Sequence, residues 1–383
     1  MMFTKISNER GDRMLKNYIG LLMLNEQEDN IKGLTKSRPI ASIPIGGRYR
    51  IIDFVLSNMV NSGIRSVGMY TNTNSRSLVD HVGSGKPWDL DRKINGLFLF
   101  NVTSERSQFS EIDALSNNME YIYRSKQDYV IISSAHMLCN MDYNEAAKFH
   151  EESGSDITIL YKKTDNGKSD YIDCSTLYIN EEKKVLSIGR NIGVEDNLNI
   201  SMEKFIMKKS TIITIINNCI QTGYYNSIMA AIYSHISKLN INAYEFKGYL
   251  RCVNSLKNYY NTNMDMLNTK VTKELFVSNG LIYTKSKDEA PTKYFKGSKV
   301  SNSLISNGCI LKGSVQNSVI SRRVTVHAGA EIKNCIIFQN CEIKKGCKLT
   351  NIIIDKNTII SENTILKGDE EFPVVIEKKA RLE

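Results

Sequence analysis

The sequence predicts an α/β fold: a Rossmann-like domain with a mixed, mostly parallel sheet, followed by a left-handed parallel β-helix of hexapeptide repeats. Three observations predict it. Short apolar runs alternate with amphipathic stretches from Tyr18 to about Leu267, the rhythm of strands joined by helices. Aliphatic residues then recur at a near-constant six-residue step through the last part of the chain. The chain is also 383 residues long, more than one hydrophobic core usually organises, so two domains are expected.

Residues 1–16 are polar and mixed in charge, without the apolar core of a secretory signal, and read as a disordered leader. The first domain is expected over residues 17–280. Tyr18 to Leu24 reads as a buried first strand. After a polar loop, Ile52, Val55, Met59 and Val60 mark one face of a helix that Gly63 can end in a left-handed turn, and Val67 to Thr71 returns as a strand. The pattern then repeats. Tyr129 to Ser133 is a strand; Asp142, with Glu145 three residues on, is placed to cap a helix running to Gly154; Ile157 to Tyr161 is the next strand. Arg251 to Leu267 reads as a strand end entering a helix.

Pro291 and a mixed polar run make residues 281–294 a linker, and 295–383 the β-helix. Its inward positions are Ile320, Val326, Ile332, Ile337, Ile343, Leu349, Ile354, Ile360 and Leu366, at steps of 6, 6, 5, 6, 6, 5, 6 and 6. Three steps make one triangular coil of 17 residues, a period that no α-helix keeps. Cys335, Cys341 and Cys347 follow the same step, so they fall on different sides of the coil and read as small core residues rather than a metal site.

Composition narrows the function. The net charge of +9 comes from 50 basic and 41 acidic residues, dispersed along the chain rather than gathered with aromatics on one element, which argues against nucleic acid as a partner and leaves small phosphorylated ligands open. No apolar run approaches the roughly 18–20 residues of a membrane span. The eight cysteines contain no CxxC pair in a chain too large to need staples, which points to a reducing cytoplasm.

Strand Tyr18 to Leu24, the block IPIGGRYRIIDFVLSNMVNSGI (Ile43 to Ile64), GSGKPWDLDR (Gly83 to Arg92), YVIISSAHMLCNMDY (Tyr129 to Tyr143) and the hexad ladder together resemble ADP-glucose pyrophosphorylase, that is, glucose-1-phosphate adenylyltransferase. Within that family the sequence is most like the GlgD-type subunit of bacterial glycogen synthesis. The resemblance implies a nucleotidyltransferase domain that binds ATP and glucose 1-phosphate at the carboxyl ends of its strands, with a β-helix that helps assemble tetramers. It also implies attack on the α-phosphorus of ATP with release of pyrophosphate, chemistry that needs backbone amides around the phosphates, cations, and carboxylates that hold magnesium.

The residues that match those requirements have changed. Active members carry Gly-Gly-x-Gly-x-Arg after the first strand; the matching positions are Asn25, Glu26, Gln27, Glu28, Asp29 and Asn30. Glycines and arginine are gone, and three carboxylates have arrived. A carboxylate near 4 Å from a phosphate oxygen costs about 4 kcal/mol at an effective dielectric of about 20. The magnesium aspartate of the family's Gly-Asp-His matches Ala135, between Ser134 and His136, and a methyl group cannot coordinate a hard cation. The second metal aspartate matches Cys252, a soft ligand. The lysine of the family's Arg-Ala-Lys-Pro matches Ile40, while Arg38 survives.

These losses predict a non-catalytic, regulatory subunit with no metal or cofactor of its own, magnesium being held only by a catalytic homologue with which it forms a heterotetramer. The alternative is a weakly active adenylyltransferase whose metal sits on a rearranged set such as Glu28, Asp29 or Asp142, the last more readily a helix cap. A third class, acyl transfer through His327, the ladder's one histidine, has no substrate loop beside it. For effector anions the candidates are Arg48 and Arg50, ahead of a helix N-terminus, with Arg322, Arg323, Lys378 and Lys379 from the β-helix; solvated charges, with Arg50 bridging to Asp53, are the competing reading. Gly46 and Gly47 read as a turn with positive φ or as a point of close approach. Trp88, the only tryptophan, either anchors its loop or marks a lid or subunit contact.

Overall fold

A computed structural model describes residues 15–24, 26, 28–71, 74–101 and 110–382. Residues 1–14, with most of the expected leader, lie outside them, as do Asn25 and Gln27. The fold takes in Leu15, ahead of the expected start at Asn17: its side chain is buried and its amide donates to Ser62 O at 3.0 Å.

The chain packs as two compact units that interleave in sequence. One comprises residues up to Glu26, Phe54–Cys252 and Ser278–Tyr283; the other comprises Gln27–Asp53, Val253–Val277 and Thr284–Glu383. The β-helix unit therefore includes two segments from within the 17–280 stretch.

The first unit is built on a nine-stranded mixed sheet. Its strands are β1 (Tyr18–Leu24), β2 (Ser66–Thr71), β3 (Gly96–Asn101), β4 (Tyr129–Ser133), β5 (Ile157–Thr164), β6 (Ser175–Ile179), β7 (Val185–Arg190), β8 (Leu198–Lys208) and β9 (Ile241–Glu245). The order runs β7-β6-β8-β4-β1-β2-β3, with β5 pairing β8 and β9 pairing β5. The stretch β4-β1-β2-β3 is parallel throughout, and all seven residues of β1 are buried, as a central parallel strand requires. Helices α1 (Ile51–Asn61), α2 (Asn144–Ser153) and α3 (Lys209–Thr222) are the longest in the first part of the chain. Gly20 lets α1 approach β1, because a Cβ there would meet Met59 Sδ at 2.4 Å.

Helix α2 starts differently from the capping-box expectation. Tyr143 is its N-cap and no side chain caps it there; Asp142 Oδ1 instead accepts the Asn144 amide at 3.0 Å, a local turn one residue ahead. Gly154 does close the helix in the left-handed conformation, at φ 60°.

The second unit is a parallel β-helix of three sheets, with strands of two or three residues. Val326 pairs with Ile343, Ile332 with Leu349 and Ile337 with Ile354. Rung-to-rung bonds such as Asn340 to Asn357 span the 17 residues of one coil. An early coil is shorter, with Asn302 bonded to Asn317 across 15 residues, and the last is lengthened by the loop 368–373. Of the nine predicted ladder positions, eight are fully buried and Leu366 is partly so. Pairing begins inside the expected linker, at Lys293–Tyr294. Cys335, Cys341 and Cys347 are buried free thiols of this core. Helix α4 (Leu256–Asp265) belongs to the same unit, tied to the coils by Tyr260 Oη, which donates to Asn334 O at 2.8 Å.

Candidate functional site

The sheet register assembles the first unit's site. Leu22 of β1 pairs with Ser133 of β4, and Ser133 pairs with Lys204 of β8. The residues that leave β1 and β4 at their carboxyl ends therefore emerge side by side, against the middle of β8. Strand β8 is interrupted there: its pairing with β5 slips between Ser201 and Lys204, and Glu203 takes a φ of 52°. A bulge re-aims side chains, and this one turns a buried carboxylate and a buried ammonium toward the strand ends.

What lies there is an internal ionic network. Glu26 Oε1 accepts the Ala135 amide at 2.7 Å. His136, 8% exposed, sits between two carboxylates, Nδ1 3.7 Å from Glu26 Oε1 and Nε2 3.4 Å from Glu203 Oε2. These are ion-pair contacts rather than formed hydrogen bonds, and His136 Nδ1 and Glu203 Oε2 have no hydrogen-bond partner among the described residues. Burial opposes the imidazolium charge, but Glu203 and Glu26 outweigh it and hold the pKa at about 9. Lys204 Nζ donates to Ser133 Oγ at 2.9 Å; burial pulls its ammonium below the ordinary range, with Glu203 and Glu26 acting against that. Two carboxylate side chains thus face an imidazole and an amine inside one buried centre.

The wall beside it is equally closed. Cys252 pairs with Met137 in a short two-stranded ribbon, and burial, together with its contact to Cys174, pushes its thiol well above the ordinary range. It stays a neutral thiol. Arg251 is bonded to Asp170 at 2.6 Å, and Tyr171 Oη donates to Leu250 O at 2.6 Å. Asn58 on α1 and Ser62 just past its end hold the segment that leaves the site: Asn58 Nδ2 donates to Cys139 O, Asn58 Oδ1 accepts the Met141 amide, and Ser62 Oγ accepts the Tyr143 amide.

Two family models match the chain, a nucleotidyl transferase domain over residues 30–171 and a GlmU-like C-terminal hexapeptide region over 290–372. The chain is 35% identical to a glycogen biosynthesis protein GlgD of Bacillus subtilis, over 82% of each chain. It is 36% identical to the GlgD of Geobacillus stearothermophilus over 94% of this chain and 96% of the relative. A glucose-1-phosphate adenylyltransferase of Mycoplasma mobile is 30% identical over 81% and 83%. The chain belongs to the GlgD and glucose-1-phosphate adenylyltransferase family.

At the two positions that the resemblance assigns to magnesium, this chain carries side chains poorly suited to a divalent metal. Ala135 contributes only its amide, to Glu26, and Cys252 a neutral thiol; neither is a hard donor for magnesium. The rearranged set weighed above has local roles: Asp29 pairs with Lys32 at 2.7 Å, and Asp142 with Asn144. Among the described residues no three His, Cys, Asp or Glu side chains group as a metal site. Glu28 precedes the short turn Asp29–Ile31 and Asn30 lies within it. Ile40 is fully buried, and the surviving Arg38 is drawn into the β-helix unit, where Nη2 meets Asp355 Oδ2 at 2.5 Å and the guanidinium lies 5.9 Å from the Phe338 ring centre.

The basic candidates lie in the second unit. Arg322 is pulled down by burial and then by Arg48. Lys287 is pulled down by burial and then by Arg322 and Arg50. Lys356, 8% exposed, is brought to about 7 by burial, Arg50 and Arg38, with Lys378 adding a smaller push. Arg48, Arg50, Arg322 and Lys378 thus act on one another or on two residues that the sequence did not single out, Lys287 and Lys356, while Glu289, Asp53 and Asp355 offset part of that charge. Arg323 is paired with Glu289 at 2.7 Å, and Lys379 sits at a coil corner with φ 64°. The Arg50 main-chain amide donates to Asp53 Oδ2 at 2.9 Å.

Other sequence candidates are structural. Gly46 and Gly47 have φ of 56° and 74°, and a Cβ on Gly47 would come within 2.7 Å of Ser306 Oγ, so turn and close approach coincide. Trp88 is buried with its ring edge-on to His81, anchoring its loop. His327 Nε2 lies 2.8 Å from Glu342 Oε1 on the coil surface. Sequence reasoning missed Glu203 and Lys204; their signal was an adjacent carboxylate and ammonium between Met202 and the apolar run Phe205 to Met207.

Proposed function

We propose that this chain is the regulatory, catalytically silent subunit of a glucose-1-phosphate adenylyltransferase in glycogen biosynthesis, acting in the cytoplasm as part of a heterotetramer with a catalytic homologue. The partner binds magnesium and converts ATP and glucose 1-phosphate to ADP-glucose and pyrophosphate. The observation that carries the reading is the Glu26 carboxylate on the Ala135 amide, with His136 bracketed by Glu26 and Glu203. A centre that already holds two carboxylates, one of them on the Ala135 amide, disfavours a triphosphate there by several kcal/mol for each close pair at an effective dielectric of about 20.

Regulation is assigned to the cluster around Arg48, Arg50, Arg322 and Lys356, where phosphorylated metabolites would relieve the mutual repulsion of the cations. Co-expression with the catalytic homologue from the same source tests both parts. The expected result is co-purification, with a mixture whose rate or response to phosphorylated effectors differs from that of the homologue alone. A homologue that purifies free of this chain and responds identically with and without it would overturn the assembly reading.

A further inference from the structure

The β-helix unit carries a hollow of about 570 Å³ that the proposed function does not use. It lies between α4 with the turn after it and one corner of successive coils. At that corner the chain turns on asparagines in the left-handed region: Asn302, Asn317, Asn334 and Asn351, with φ from 41° to 55°. Asparagine tolerates that conformation better than other side chains with a Cβ. Stacked amides can also bond from rung to rung. Asn302 Nδ2 donates to Asn317 Oδ1 at 2.8 Å, and Asn334 Nδ2 to Asn351 Oδ1 at 3.0 Å.

The ladder breaks between Asn317 and Asn334, both of which line the hollow. The break leaves the amide donors of Asn317 and the amide oxygen of Asn334 without a partner among the described residues. Asn261 of α4 lines the hollow from the other side. No lysine or arginine lines it; Glu370 supplies one carboxylate, and Met264 with Leu267 an apolar strip.

We infer that this hollow binds a neutral carbohydrate. Unpaired amides offer donors and acceptors together, which vicinal hydroxyls answer in kind, while the C–H face of a sugar ring rests on the Met264 and Leu267 strip. The absence of a lining cation sets the site apart from the anion-binding cluster. Its volume falls within the roughly 300–1,000 Å³ typical of small-ligand sites.

Titration of the full chain with maltoheptaose and, separately, with xylohexaose, followed by calorimetry, tests the assignment. Saturable binding of at least one oligosaccharide is expected, and the two arms tell a glucan from another carbohydrate. Asn261→Ala, on a helix where alanine is well tolerated, weakens binding about fivefold, the worth of one hydrogen bond of about 1 kcal/mol. Arg322→Ala leaves sugar binding unchanged, which separates this site from the regulatory reading. No saturable binding of either sugar by a folded chain, or binding that Asn261→Ala does not alter, would overturn it.

Discussion

Glu26 Oε1 lies 2.7 Å from the amide nitrogen of Ala135, so a side chain of this protein fills the ground between the carboxyl ends of two central strands. The same carboxylate is one of two that hold His136 charged. Glu26→Gln keeps an acceptor for the amide but removes the charge. The expected outcome is a fall of the His136 pKa by about one unit or more, read by NMR titration of the imidazole.

His136 makes stability depend on pH. Its pKa is about 6.5 in the unfolded chain and about 9 in the folded one, so the folded state binds the proton more tightly. The contribution is fully present below pH 6.5 and is lost as pH rises through 9. It amounts to a few kcal/mol at most. Thermal unfolding of the wild type should therefore lose more stability between pH 6.5 and 9 than His136→Gln does.

Much of this was legible in the sequence, for identifiable reasons. The near-six-residue step runs through the regular coils because inward aliphatics fill most of so narrow a core, so Val326, Ile343 and Ile360 announce themselves. The expectation that Ala135 and Cys252 are poor magnesium ligands rests on side-chain chemistry and needs no coordinates. What replaced them was not legible. Glu26, His136 and Glu203 are far apart in sequence and meet through strand register, and the turn of Glu203 into the centre depends on a bulge that no local pattern marks. Lys356 is likewise a lysine like any other until the fold buries it.

The Arg38–Asp355 pair is buried on both sides, with side chains 2% and 4% exposed, and Arg38 Nη1 has no partner of its own among the described residues. Removing one partner leaves an uncompensated charge. Asp355→Ala should cost about 3–5 kcal/mol in denaturant unfolding of the β-helix unit. Replacing both residues together, Arg38→Met with Asp355→Leu, should restore most of that loss.

Lys356 runs in the opposite sense to His136. Its folded pKa of about 7 lies below its ordinary 10.5, so its charge is penalised in the folded state at and below pH 7, and its contribution to stability rises with pH between 7 and 10.5. A bound anion favours the charged lysine, and binding is coupled to proton uptake. Sulfate should raise the melting temperature more at pH 6 than at pH 9, and Lys356→Met should flatten that difference.

Pyrophosphate release from ATP, magnesium and glucose 1-phosphate by this chain alone, with folding verified by circular dichroism, decides whether the subunit is catalytically silent. No release above the blank is expected. Turnover by the isolated, homogeneous chain would contradict it, and would mean that the metal is held by ligands other than those at the positions of Ala135 and Cys252.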